Sequence, residues 1–203
     1  MCLKKMEDYD HELIARFKKG SMTAMEKIVE KYEEMLFNFG KRMCGHTQDA
    51  EDIMQETFLN AFKSLKDFRE ETKLKNWLFR IAANACYRKR RKKKDEPDRE
   101  LSLDALMNPE GNGQKFDIPD ASNDPGEDLI RTELKEVIAA ATQRLPAIYR
   151  LVFNLRDIEG FSTEETADIL DITTQSVKTR LHRARLFLRN EISDHFKEEK
   201  PDA

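Results

Sequence analysis

The sequence predicts an all-α protein of two small helical domains joined by a flexible acidic linker. Three observations predict it. Apolar residues recur at helical spacing through most of 9–94 and again through 129–196. Of the 7 Gly and 6 Pro in 203 residues, Pro97, Pro109, Gly111, Gly113, Pro119, Pro125 and Gly126 all fall in 95–128. Charge divides at the same boundaries. Residues 1–94 carry 22 basic and 15 acidic groups (+7), 95–128 carry 2 and 11 (−9), and 129–203 carry 12 and 13 (−1). The formal net charge of −3 is therefore an average over unlike segments, and the basic first part is suited to a polyanionic partner.

The elements follow in order. Leu13, Ile14 and Phe17 form a short apolar stripe, and Gly20 stops that helix. Met25, Ile28, Val29, Tyr32, Leu36 and Phe39 predict a second helix over 22–43. Ala50, Met54, Phe58, Ala61 and Leu65 share one face of a third, which begins near Asp49. A charged loop spans 67–75, and a fourth helix runs from about Asn76 into the basic run 88–94. The segment 95–128 has no periodicity and reads as a poorly ordered linker. Periodicity returns from Leu129 to Leu145, Pro146 marks a helix boundary, and 148–155 is another apolar stretch. Two more helices are predicted over 162–170 and about 174–193.

Several functions are excluded by composition. No run approaches the roughly 18 to 20 apolar residues that cross a bilayer, so no membrane insertion is expected. Residues 1–10 mix charges and lack a signal-peptide core. Cys2, Cys44 and Cys86 are too few and scattered for a disulfide framework. Small buried hydrophobes are the expected roles of Cys44 and Cys86, and the compartment expected is the cytoplasm. His11, His46, His182 and His195 share no ligand or triad spacing with them, and no glycine-rich phosphate loop occurs. No catalytic residue, metal or cofactor is expected.

The second half carries a helix-turn-helix pattern. Ser162-Thr-Glu-Glu165 is a capping box for a two-turn helix ending at Leu170. Asp171 occupies the turn, where Asp tolerates a left-handed conformation, and Thr173 or Thr174 caps the next helix. Val177, Leu181, Ala184 and Leu188 face inward there, leaving Gln175, Thr179, His182 and Arg183 outward with Lys178 beside them. Five basic residues and no acid lie between Thr173 and Asn190. Such a helix suits a major groove, where Arg, Lys and Gln read base edges or hold phosphates. A solvated helical hairpin is the plainer alternative.

Two surfaces stand out in the first half. With Leu74, Leu78, Ile81 and Ala85 inward, one flank of the fourth helix carries Asn76, Trp77, Arg80, Asn84, Tyr87 and Arg91. Interleaved aromatics, Arg and Asn suit unpaired bases. On the third helix, Leu59 is set among Asp52, Gln55, Glu56 and Lys63 opposite the apolar stripe, a pattern for a protein partner or for solvent alone.

Asp49-Ala-Glu-Asp-Ile-Met-Gln-Glu-Thr-Phe58 and Trp77-Leu-Phe-Arg-Ile-Ala-Ala-Asn84, followed by basic residues, resemble region 2 of the sigma-70 family, in its small extracytoplasmic-function (ECF) group. The segments 145–156, 159–167 and Ser176-Val-Lys-Thr-Arg-Leu-His-Arg-Ala-Arg185 resemble region 4. The resemblance implies a non-catalytic transcription initiation factor with region 2 over 9–94 and region 4 over 129–196. It would direct core RNA polymerase to promoters and open the minus-ten region. Asp52, Gln55, Glu56 and Leu59 would then meet the polymerase. Phe68, Lys73, Asn76, Trp77, Arg80, Asn84, Tyr87, Arg88 and Arg91 would melt the minus-ten element and hold its non-template strand, with one base flipped into the 68–75 loop. Gln175, Ser176, Lys178, Thr179, Arg180 and Arg183 would lie on the minus-thirty-five duplex. The 146–156 segment would pack near the polymerase flap, and the acidic linker would thread toward the RNA path. An anti-sigma factor is a further implied partner. Leu74 stands where many members have Phe, and Asp171 where Gly is common. The rival reading, a stand-alone helix-turn-helix regulator, leaves the Trp77 flank, the acidic helix and the linker without a role.

Overall fold

The structure, a computed structural model, describes residues 2–93 and 125–198, with side chains described over 8–89, at Leu134 and over 136–195. Most of the expected linker, and the side chain of Arg91, lie outside those residues. The described chain is helical throughout, without a strand. Helices α1 (Cys2–Lys18), α2 (Met22–Cys44), α3 (Thr47–Ser64) and α4 (Leu74–Lys93) form the first half. The second comprises α5 (Pro125–Arg144), α6 (Ala147–Phe153), a π-helical turn at Asn154–Ile158, α7 (Thr163–Leu170) and α8 (Thr174–Glu198). Helix α5 includes Pro125–Asp128, residues assigned to the linker by their Pro and Gly. Proline at a first helical position loses no hydrogen bond, so the breaker here is a start.

Gly45 ends α2 with φ 80°, its N–H returning to the Lys41 carbonyl, a conformation in which glycine has no Cβ to strain. Helices α2 and α3 then pack closely. A Cβ on Gly40 would stand 3.1 Å from the Ala50 Cα. Leu13, Phe17, Ile28, Leu36, Phe39, Ile53, Leu65, Leu78 and Phe79 fill the core between α1 and α4. Thr57 is fully buried among them. Its hydroxyl donates to the Ile53 carbonyl one turn back at 2.7 Å, which satisfies the hydroxyl.

The second half has small cores of its own. Ala141, Leu145, Tyr149, Ala184 and Phe187 make one, and Val152, Ala167, Val177 and Leu181 make another. The first half's core also continues into it through Leu151, Leu155, Phe161 and Ile169. The Phe161 ring meets Phe79 edge-on at 4.9 Å.

Arg150 locks this seam. Its side chain is 1% exposed. Nη1 donates to the Met43 carbonyl at 2.8 Å and to Gln143 Oε1 at 2.7 Å, and Nη2 to the carbonyls of Leu145 (2.9 Å) and Gln143. Gln143 Nε2 in turn donates to the Arg42 carbonyl at 2.7 Å. Arg42 reaches back to Asn154 Oδ1 at 3.1 Å and pairs with Glu159. Burial pushes the Glu159 carboxyl above its ordinary range, against the pull of Arg42 and Lys75. Replacing Arg150 by Met takes the buried donor from the Met43 and Leu145 carbonyls. The expected loss is about 3 kcal/mol of stability, read as a lower urea midpoint for Arg150→Met than for the parent.

Candidate nucleic-acid and polymerase interfaces

On α3, Asp52, Gln55, Glu56 and Leu59 are exposed on one side, opposite buried Ile53, Thr57 and Phe58. Leu59 is 60% exposed, and Phe62, at 42%, lies beside it one turn on. The carboxylates are not bare. Lys89 Nζ lies 2.6 Å from Asp52 and 3.0 Å from Asp49, and Arg88 lies 2.5 Å from Glu56. The Lys89 hydrogen bond holds the Asp52 carboxyl below its usual range. Two cations of α4 are thus set against the acidic face of α3, a pairing that helix periodicity could not show.

The flank of α4 divides in two. Arg80, Asn84, Tyr87 and Arg88 are exposed, in line with the sequence reading. Trp77 is half-buried, its ring on Phe68 at 4.7 Å between centroids. Asn76 departs from the expectation of an open flank: it is buried at 8% exposure, and its side chain is among the groups that help hold the Glu165 carboxyl of α7 below its ordinary range. Lys73 also pairs with Glu165, at 3.4 Å. The cause is the seam, which lays α7 over the start of α4. Lys75, which sequence reasoning did not single out, is caught there too. Its ammonium sits 4.4 Å from the Phe161 centroid and donates to the Glu159 carbonyl at 3.3 Å, and burial lowers its pKa.

Between α1 and the 68–73 loop lies a cavity of about 380 Å³, walled also by Leu74 and Asn76 at the start of α4 and by Asp168 of α7. Glu70 in that loop adopts φ 59°. His11 and Lys18 of α1 hold its carboxyl below the ordinary range. Neither α1 residue was marked by any motif.

The second half reproduces the predicted local chemistry. Ser162 Oγ accepts from the Glu165 N–H at 3.0 Å while Glu165 accepts from the Ser162 N–H at 2.9 Å. Asp171 takes the left-handed conformation, φ 55°. Thr173 is the cap of α8, accepting from the Ser176 N–H at 3.1 Å. Val177, Leu181, Ala184 and Leu188 are buried, leaving Gln175, Lys178 and Thr179 exposed and Ser176, Arg180 and Arg183 half-buried beside them. Arg185 leaves this face to bond Asp157 through two contacts of 2.6 and 2.8 Å.

Residues 28–96 match sigma-70 region 2, and residues 135–188 match sigma-70 region 4. The ECF RNA polymerase sigma factor SigW of Bacillus subtilis (strain 168) is 34% identical over 189 residues, covering 93% of this chain and 100% of the relative. The chain belongs to the sigma-70 family. It is an ECF RNA polymerase sigma factor. The ECF sigma-E factor of Escherichia coli (strain K12) is 28% identical over 185 residues, 90% of this chain and 94% of that one. In fold, the chain is similar to CnrH in complex with the cytosolic domain of CnrY. That match has a TM-score of 0.65 and 24% identity, and covers 92% of this chain and 99% of that one. The sigma factor RpoE bound to the anti-sigma factor NepR, from Bartonella quintana, has a TM-score of 0.58 at 24% identity over 83% and 96%. The sigma factor family is not enzymatic. No helix among the described residues is long and apolar enough to cross a membrane.

Ser162→Ala removes the Oγ that accepts from the Glu165 N–H, one of the two capping-box bonds, and leaves the backbone bond from the Ser162 N–H to Glu165 in place. A loss of about 1 kcal/mol is expected, measured as a lower midpoint in thermal unfolding with the helical circular dichroism signal otherwise retained.

Proposed function

We propose that this ECF sigma factor divides its work among three surfaces. Asp52, Gln55, Glu56 and Leu59 dock on core RNA polymerase. The 68–73 loop and the α4 flank, with Phe68, Lys73, Asn76, Trp77, Arg80, Asn84, Tyr87, Arg88 and Arg91, take the non-template strand of the minus-ten element, one base entering the loop cavity. Gln175, Ser176, Lys178, Thr179, Arg180 and Arg183 meet the minus-thirty-five duplex. The observation that carries this division is the contrast between two faces. One interleaves aromatic, amide and cationic groups on a single helix, the pattern for unstacked bases. The other is an acid-free helix after a tight turn, the pattern for a major groove.

The polymerase surface is supported by a large apolar side chain, Leu59, exposed within a polar face. Docking there exchanges the Arg88–Glu56 and Lys89–Asp52 pairs for contacts to the partner, which frees two α4 cations beside the strand-binding flank. Exposed pairs of this kind are weak, so the exchange costs little. Strand binding at Lys73 and Asn76 requires region 4 to withdraw, because in this arrangement Glu165 pairs with Lys73 and Asn76 is buried. An anti-sigma factor is the remaining partner of the proposal, as in the RpoE complex. The site of action is the cytoplasm, where core polymerase meets promoters. The linker and the divisions at 94 and 128 separate region 2 from region 4 in this reading.

Transcription in vitro with purified core polymerase and genomic fragments tests the whole. Promoter-specific transcripts that depend on this protein are expected, and their absence with folded protein overturns the proposal. For the flank, Trp77→Ala should impair permanganate-detected opening of duplex promoters about tenfold, while binding to a pre-melted fork falls only a few-fold. Equal losses on both templates contradict a role in melting.

A further inference from the structure

The 68–73 loop is held by helix α1. Helix α1 precedes the matched span 28–96, yet it supplies one wall of the cavity through Asp10, His11 and Ile14. Its last residue, Lys18, donates to the Phe68 carbonyl at 2.7 Å and to Glu70 Oε1 at 2.9 Å. His11 Nδ1 lies 2.6 Å from the other oxygen, Glu70 Oε2. Both carboxylate oxygens of one loop residue are therefore fixed by one helix. That residue also holds a positive φ, which a non-glycine side chain adopts only when its surroundings enforce it. The Phe68 carbonyl is tied by Lys18, and the Phe68 ring lies tilted against Trp77.

The consequences for stability and for shape differ. His11 is 61% exposed, Lys18 32% and Glu70 27%, and exposed ion pairs contribute little to global stability. Leu13, Ile14 and Phe17, all buried, anchor α1 to the core without them. A small displacement of a loop that forms a cavity wall nevertheless changes what fits against it. Lys18 is also not available as a simple phosphate ligand, since its ammonium serves a carboxylate and a carbonyl of the loop.

We propose that Lys18 and His11, acting through Glu70, are positioning residues that fix the shape of the loop cavity, so that α1 sets how sharply this sigma factor discriminates the unstacked base. The proposal rests on the reading that this loop receives a minus-ten base. It assigns a specificity role to a helix outside the matched region 2.

The test uses holoenzyme reconstituted from the full chain and core polymerase. Four fork templates differ only in the unpaired base that enters the loop. Wild type should prefer one base. Lys18→Met keeps the aliphatic stem and removes the charge, and Glu70→Gly keeps the positive φ and removes the carboxylate. Each should reduce that preference about fivefold, chiefly by losing affinity for the favoured base. Lys18→Arg, which can still donate to both oxygens, should restore most of it. Equal weakening on all four templates would instead identify a phosphate contact or a general folding defect, and overturns the clamp. So does an unchanged preference in both variants, or a wild type that opens promoters without preferring any base. A wild-type holoenzyme that opens no promoter overturns the underlying reading and the clamp together.

Discussion

A single buried guanidinium organises the relation between the two halves. Arg150 spends its donors on carbonyls and an amide oxygen rather than on a carboxylate. It therefore joins three chain segments at once: the end of α2 through Met43, the end of α5 through Gln143 and Leu145, and its own helix α6. A charge inside protein is tolerated only when its donors find acceptors, and here one of those acceptors belongs to region 2. Region 4 alone would lack it. The neighbouring Arg42, Asn154 and Glu159 contacts repeat the arrangement in the opposite direction, with a region 2 cation reaching into region 4. Phe79 against Phe161 and Lys75 over the same ring then fall into place.

Local chemistry was legible in the sequence and long-range packing was not. Ser162 and Glu165, three residues apart, advertise a capping box because both partners sit within one turn. Asp171 and the 177, 181, 184, 188 stripe are equally local. Asn76 misled because it is buried where α4 meets α7, a helix that begins at Thr163, 87 positions later in the sequence. Helix α6 is harder still. Leu151 and Leu155 pack on region 2 while Val152 packs on α8, so the short stretch is apolar on more than one side and no single face announces itself. Thr57 reads as polar and is buried, since bonding its own helix lets it pass as an apolar residue. Lys18 gave no signal at all: a lysine at a helix end is ordinary, and its loop partners are 50 and 52 residues away.

The charge pattern also gains a finer meaning. The +7 of the first segment is not simply a surface waiting for DNA. Lys89 and Arg88 face acids of α3, Lys73 faces Glu165, Lys18 faces Glu70 and Arg42 faces Glu159. Arg80, among the expected strand ligands, remains exposed on the flank. Asp52, Glu56 and Glu70 are already counted in that net charge, so their pairs only redistribute it, whereas Glu159 and Glu165 come from the second half and quench part of it.

The Glu165 contacts have a thermodynamic corollary. If the strand binds at Lys73 as proposed, the Glu165 carboxylate paired with that lysine competes with its phosphate, and the apparent affinity of the free chain for a melted strand becomes its intrinsic affinity scaled by the fraction of molecules in which region 4 has swung away. Whatever binds the separated arrangement raises that fraction. By reciprocity, the strand must strengthen the grip of that same binder by an equal factor. Under that proposal, two ligands that never touch each other are coupled through one glutamate, which the chain also uses to begin a helix.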